Sequence, residues 1–188
     1  MLSALRIATA DRHAELDNGL PLAGNAPTLA DYQAHLHMLR AWLSPLEEWL
    51  GQFDDGPQDG SLPAPRRLPL IDADLAHPAM PEALHGACAG EPWSGKAGPA
   101  YRWGVCYVIE GSQLGGAVLH QRLAGILAPH PLGYLRAEAE GPGPRWRAFM
   151  QALRAGVRSE AEIADACRGA CDAFDRILAL RPLAEKIQ

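Results

Sequence analysis

The sequence lacks most of the marks by which an activity is usually recognised. Across 188 residues it has four cysteines, Cys88, Cys106, Cys167 and Cys171, and no C-x-x-C pair. No disulfide framework is implied, so buried free thiols in a reducing compartment are expected. Positive charge is scarce: 17 Lys and Arg stand against 22 Asp and Glu, a net charge of -5. Nucleic-acid surfaces are normally basic, so that class of partner is not expected. There is no basic N-terminal region followed by an apolar core, and hence no expected signal peptide. No apolar span reaches membrane length without a polar or charged interruption. A cytoplasmic protein with no membrane partner is the expectation. Alternating runs of β-branched residues are nearly absent, and so are internal repeats. The chain also has no P-loop, no dinucleotide fingerprint and no G-x-S-x-G elbow.

What remains is helical. Hydrophobic residues make up 48% of the chain, enough for one domain with a sizeable core. Apolar residues recur at three and four, which predicts an all-α fold of six to eight helices in a single domain over residues 1–188. The first helix is expected from about Ser3, as cap, to Asn18, with Gly19 and Pro21 ending it. A second begins near Thr28, paired with Asp31, and carries Tyr32, Leu36, Leu39, Leu43, Leu46 and Leu50; Pro45 should kink it or start a new helix. Gly51 to Pro65 and Gly90 to Gly98 read as loops, and the prolines between Arg66 and Cys88 permit only short helical pieces. A long helix should fill Ala100 to Leu127, opened by Pro99 and stopped by Pro129 and Pro131. After a turn of helix at Leu132 to Arg136 and a Gly-Pro break, Trp146, Phe149, Met150 and Leu153 mark another helix closed by Gly156. Ser159 and Glu162 form a capping box for the last, which Pro182 ends.

Two stretches could carry chemistry. In the first, Arg6, His13 and Asp17 share one helix face, being seven and four residues apart. A metal-ligating histidine commonly donates its other ring N–H to a carboxylate, and Asp17 stands where it can accept. In the second, Tyr107-Val108-Ile109-Glu110-Gly111-Ser112-Gln113-Leu114-Gly115-Gly116, three glycines interrupt the long apolar helix. Each should weaken a helix interior by about 0.5–1 kcal/mol relative to Ala. Either two helices pack closely there, or the backbone must approach a ligand or bend. The other histidines are weaker candidates. His35 and His37 point in different directions, His77 and His130 precede prolines in loops, and His120 reads as a partly exposed polar residue. Glu82 and His85 form one E-x-x-H, without the second copy a di-iron site needs.

Together the two stretches resemble the two halves of a heme oxygenase site. The run Arg6-Ile7-Ala8-Thr9, then His13 and Asp17, is similar to the proximal helix of that family; Tyr107 to Gly116 is similar to the distal helix of its bacterial members. Pro45-Leu46-Glu47, Arg67 to Leu75, Trp146-x-x-Phe149 and Ala170 to Phe174 also look like family features, so the likeness covers about residues 5 to 178. The resemblance implies heme held between a proximal and a glycine-kinked distal helix, acting as substrate and cofactor. It implies His13 as iron ligand, and Arg6, Thr9, Asp17, Tyr107 and Phe174 as heme-binding residues. Gly111, Ser112, Gly115 and Gly116 would form the oxygen-binding face. Ser112 stands where animal enzymes carry an aspartate; bacterial members share the serine. The implied reaction cleaves heme with O₂ to biliverdin, CO and Fe²⁺. Electrons would come from an external reductase or ferredoxin, and a bilin-binding photoreceptor is a possible product acceptor. The alternatives are a heme-binding or storage protein without turnover, a heme-oxygenase-like fold with a thiaminase-type or non-heme iron activity, and a helical interaction module that binds no heme.

Overall fold

Seven α-helices and two short 3₁₀ turns account for the regular structure of the computed structural model, which describes residues 1–62, 67–82, 90–136 and 141–181. No strand occurs among the described residues. His85, Cys88 and Pro182 lie outside them. Helix α1 spans Leu2–Gly19. It starts ahead of Ser3: Met1 takes the cap position and no side chain caps the first turn. A 3₁₀ turn, Pro21–Ala23, follows. Helix α2 runs Leu29–Leu50 behind a reciprocal box, in which Thr28 Oγ1 accepts from the Asp31 N–H at 3.2 Å and Asp31 Oδ2 accepts from the Thr28 N–H at 2.8 Å.

No new helix starts at Pro45; α2 passes through it as one helix. A proline removes one backbone bond, freeing the carbonyl four residues earlier. That carbonyl, on Ala41, is closely covered by the chain at Gly90, where a Cβ would sit 2.0 Å from it and 3.2 Å from the Pro45 ring. Tyr32, Leu36, Leu39, Leu43, Leu46 and Leu50, the stripe read from the sequence, are buried, and Trp42 is buried beside them. Trp42 Nε1 donates to the Ala173 carbonyl at 3.0 Å and ties α2 to the last helix.

The loop after α2 contains a 3₁₀ turn, Gly56–Gln58. It is pinned by Arg102, which is buried on the long helix α4 (Pro99–Leu123). Arg102 donates to the Asp55 carbonyl at 2.9 Å and to Gln58 Oε1 at 2.7 Å, pairs with the Asp55 carboxylate, and lies 4.1 Å from the Phe53 ring centroid. Helix α3, Arg67–Leu75, lies in the proline-rich stretch, with Pro69 in its first turn. Helix α4 ends at Leu123, four residues short of the expected Leu127, and closes through a turn in which Leu127 N donates to the Leu123 carbonyl at 2.9 Å. The helix is continuous across Gly111, Gly115 and Gly116. Helices α5 (Gly133–Arg136), α6 (Gly143–Gly156) and α7 (Glu160–Ala179) complete the chain, and the Ser159–Glu162 box caps α7 as expected.

Helix α7 is the central prop, packing against both α4 and α1. Two glycines permit its approach to α4. A Cβ at Gly104 would stand 1.8 Å from the Ala166 carbonyl oxygen, and one at Gly169 would stand 2.1 Å from the Tyr101 carbonyl oxygen. The two helices meet backbone to backbone.

Candidate functional site

Helix α1 rests on α7 with its interior held by Leu5 and Thr9, both buried. The Thr9 hydroxyl donates to the Leu5 carbonyl at 2.9 Å, so its polar capacity is used within the helix and little of it faces outward. Arg6, His13 and Asp17 lie on the exposed side. His13 Nδ1 sits 2.9 Å from Asp17 Oδ2, the i, i+4 pair read from the sequence. This commits Nδ1 and leaves Nε2 as the nitrogen available to a ligand; the His13 side chain is 64% exposed. Its ring centroid is 5.9 Å from that of Phe174 on α7. Arg12 bridges α1 to α7 with a two-pronged contact to Asp175, at 2.6 and 3.0 Å.

Helix α4 supplies the facing residues. Tyr107 is half-buried, and burial raises its pKa even though the Arg6 guanidinium beside the hydroxyl pulls it down. Arg6 of α1 and Tyr107 of α4 therefore meet across the gap between their helices. The Tyr107 ring also lies 5.6 Å from Trp146 of α6, and a Cβ at Gly111 would touch the same Trp146 at 3.9 Å. Gly115 differs: a Cβ there would meet nothing within 4 Å. Gly116 is buried in ordinary contact with Leu135 at 3.7 Å. The glycines noticed in sequence thus divide into one open position, two in ordinary contact, and none that separates helices. The glycines that set the helix spacing, Gly104 and Gly169, were not noticed; Tyr101-x-x-Gly104 shows no motif to a reader of one sequence.

Sequence reasoning also missed the ion cluster on another face of α4. Glu110, only 8% exposed, takes Arg145 Nε at 2.8 Å and Arg145 NH2 at 2.7 Å, with Arg67 NH2 2.8 Å away. Burial alone would raise the Glu110 pKa, but the two arginines outweigh it and hold the carboxyl below its usual value. The cluster borders a cavity of about 540 Å³ lined also by Glu47, Cys106 and Phe149. Burial pushes the Glu47 carboxyl up against the opposing pull of Arg67. His130, expected in a loop, is in one but buried: its Nδ1 accepts from the Leu132 N–H at 3.0 Å, leaving Nε2 to donate to the Asp74 carbonyl at 3.0 Å. Cys106, Cys167 and Cys171 are free thiols and half-buried, more exposed than expected. Glu82 has no described partner for a di-iron set, and among the described residues no group of three or more His, Cys, Asp or Glu could hold a metal ion by itself. No helix among the described residues is long and apolar enough to cross a membrane.

A histidine with one nitrogen engaged and the other offered, a cation meeting a tyrosine across a helix gap, and one open glycine position on the tyrosine's helix are what these elements supply. The chain belongs to the heme oxygenase family, whose model matches residues 1–180. It is 39% identical over 109 residues to a heme oxygenase of Xanthomonas campestris pv. campestris (strain 8004), an alignment covering 56% of this chain and 61% of that protein. The chain thus spans about three fifths of the length of that curated relative. Its fold matches the NO- and CO-bound heme oxygenase from Neisseria meningitidis with a TM-score of 0.65 and 20% identity, covering 97% of this chain and 92% of the other.

Proposed function

We propose that the chain is a heme-degrading oxygenase with its ligand seated between α1 and α4. The observation that carries this reading is the pairing of His13 with Asp17 on one helix and the open Gly115 position on the other. The residues fit the group the family implies. His13 would hold the iron as a neutral imidazole through Nε2, with Asp17 fixing the ring and raising its basicity. Arg6 and Tyr107 would neutralise and anchor an acidic propionate edge, and Phe174 would pack beside the imidazole. Gly115 would leave the opposite face open for O₂, with Gly111, Ser112 and Gly116 beside it on the same helix. Bound heme would supply the iron that takes up O₂ and the porphyrin that is opened to biliverdin, CO and Fe²⁺. The sequence shows no flavin or iron–sulfur motif, and an external reductase or ferredoxin would supply the electrons. The reading places the protein in the cytoplasm, with a bilin-binding photoreceptor as a candidate acceptor of the product.

His13→Ala tests the ligand assignment. The side chain is largely exposed, so the heme-free fold should keep its melting temperature. The histidine-ligated heme spectrum should disappear and return in part on adding imidazole. A mutant with the wild-type heme spectrum and turnover would assign the iron to another residue. Asp17→Ala should weaken heme affinity by roughly 10-fold or more, the usual scale for losing such a supporting carboxylate; unchanged affinity would remove Asp17 from the site.

A further inference from the structure

Arg67 is 6% exposed, and its guanidinium is poorly paired for a charge so deeply placed. Glu110 spends both of its oxygens on Arg145, whose Nε donates to Oε2 at 2.8 Å and whose Nη2 donates to Oε1 at 2.7 Å. Arg67 Nη2 stands 2.8 Å from the same Oε1 but outside hydrogen-bond geometry, and neither Nη2 nor Nε of Arg67 makes a hydrogen bond. Those two nitrogens lie side by side on one edge of the guanidinium, the kind of edge that takes a carboxylate with two parallel bonds. A buried charged donor without an acceptor carries a desolvation cost that a ligand could remove.

Arg67 borders the cavity of about 540 Å³, a size within the usual range of small-ligand sites. Tyr107 and Gly115, where the heme reading places its ligand, are not among the walls of this cavity. Leu50, Phe53, Ile109 and Phe149 make most of its surface apolar. Glu47 adds a carboxyl whose Oε1 also has no hydrogen bond. Burial favours the protonated form of Glu47 against the pull of Arg67, so this carboxyl can donate to an entering carboxylate instead of repelling it. With its bidentate edge unbonded, the Arg67 guanidinium can turn that edge to the cavity. Water would satisfy the nitrogens but gain nothing from the apolar walls. A ligand with an acid at one end and a hydrocarbon body at the other satisfies both.

We propose that the cavity between α2, α4 and α6 is a binding site for a small monocarboxylate with an apolar or aromatic body, held by Arg67. The site requires nothing of the heme reading. The probe is 4-fluorobenzoate, titrated into the full chain and followed by ¹⁹F NMR, with 4-fluorobenzyl alcohol as its neutral counterpart. The acid should bind saturably and at least about 10-fold more tightly than the alcohol, the scale of hydrogen bonds to a charged group. Arg67→Met should remove that advantage, while Arg6→Met should leave it unchanged. A second arm needs no variant: in protein labelled with ¹³C-methyl isoleucine, the acid should shift the Ile109 methyl resonance and leave those of exposed Ile7 and Ile126 in place. Equal affinity for acid and alcohol overturns the proposal, as does loss of binding in Arg6→Met in place of Arg67→Met. Absence of saturable binding overturns it too, and leaves the cavity to water. So does an Ile109 methyl that stays in place while the acid binds elsewhere. If Arg67→Met does not fold, the acid-to-alcohol ratio and the Ile109 resonance of the unaltered chain decide.

Discussion

Replacing Glu110 by alanine should destabilise the protein by about 3–5 kcal/mol, the usual penalty for removing one partner from a buried ion pair. The carboxylate sits at 8% exposure with Arg67 and Arg145 around it. Its removal leaves Arg67, itself 6% exposed, without the charge that offsets its burial. Urea unfolding at neutral pH, followed by circular dichroism, gives the number. Acid should reproduce part of the effect. The arginines hold the folded-state pKa of Glu110 below its unfolded value. The stabilisation is therefore fully present above the ordinary carboxylate range, about pH 4–5, and is lost as pH falls through the lowered folded-state value. Glu110→Gln should flatten that part of the acid profile. A variant within about 0.5 kcal/mol of wild type, the range of ordinary surface substitutions, would show the cluster to be energetically idle.

Gly104→Ala should rank second. Alanine normally gains up to about 1 kcal/mol over glycine inside a helix. Here the new methyl would lie 1.8 Å from the Ala166 carbonyl oxygen and 2.9 Å from the Ala170 nitrogen, both backbone atoms. No side chain can turn aside, so α4 and α7 must separate. The net loss should reach the upper part of the overpacking range, about 3 kcal/mol. Gly115→Ala is the matched control, with nothing within 4 Å of the new methyl. It should leave the heme-free protein equal to wild type or more stable by up to about 1 kcal/mol. With heme it should still bind through His13 but yield less biliverdin, since the methyl projects into the space the porphyrin and O₂ would share. Comparable destabilisation of both variants without heme would mean that Gly115 serves packing as Gly104 does.

These contrasts show where sequence alone sufficed. Caps are local, so Thr28 with Asp31 and Ser159 with Glu162 could be read from residues three apart. The His13–Asp17 contact is likewise one helical turn. That α2 would continue past Pro45 was not legible, because the cover over Ala41 comes from Gly90, far along the chain. Gly104, Arg102 and the Glu110 cluster escaped for the same reason: their partners lie on other elements. The Arg6–Tyr107 contact joins residues about a hundred positions apart, and only the resemblance to a family brought those two stretches together beforehand.

The most direct test is a heme titration without oxygen, followed by admission of O₂ with a reductant while the absorption spectrum is recorded. The heme oxygenase reading predicts a stoichiometric histidine-ligated Soret band that then decays as the broad absorption of biliverdin rises. A Soret band that survives O₂ and reductant with no biliverdin, or no Soret band at all, would contradict it.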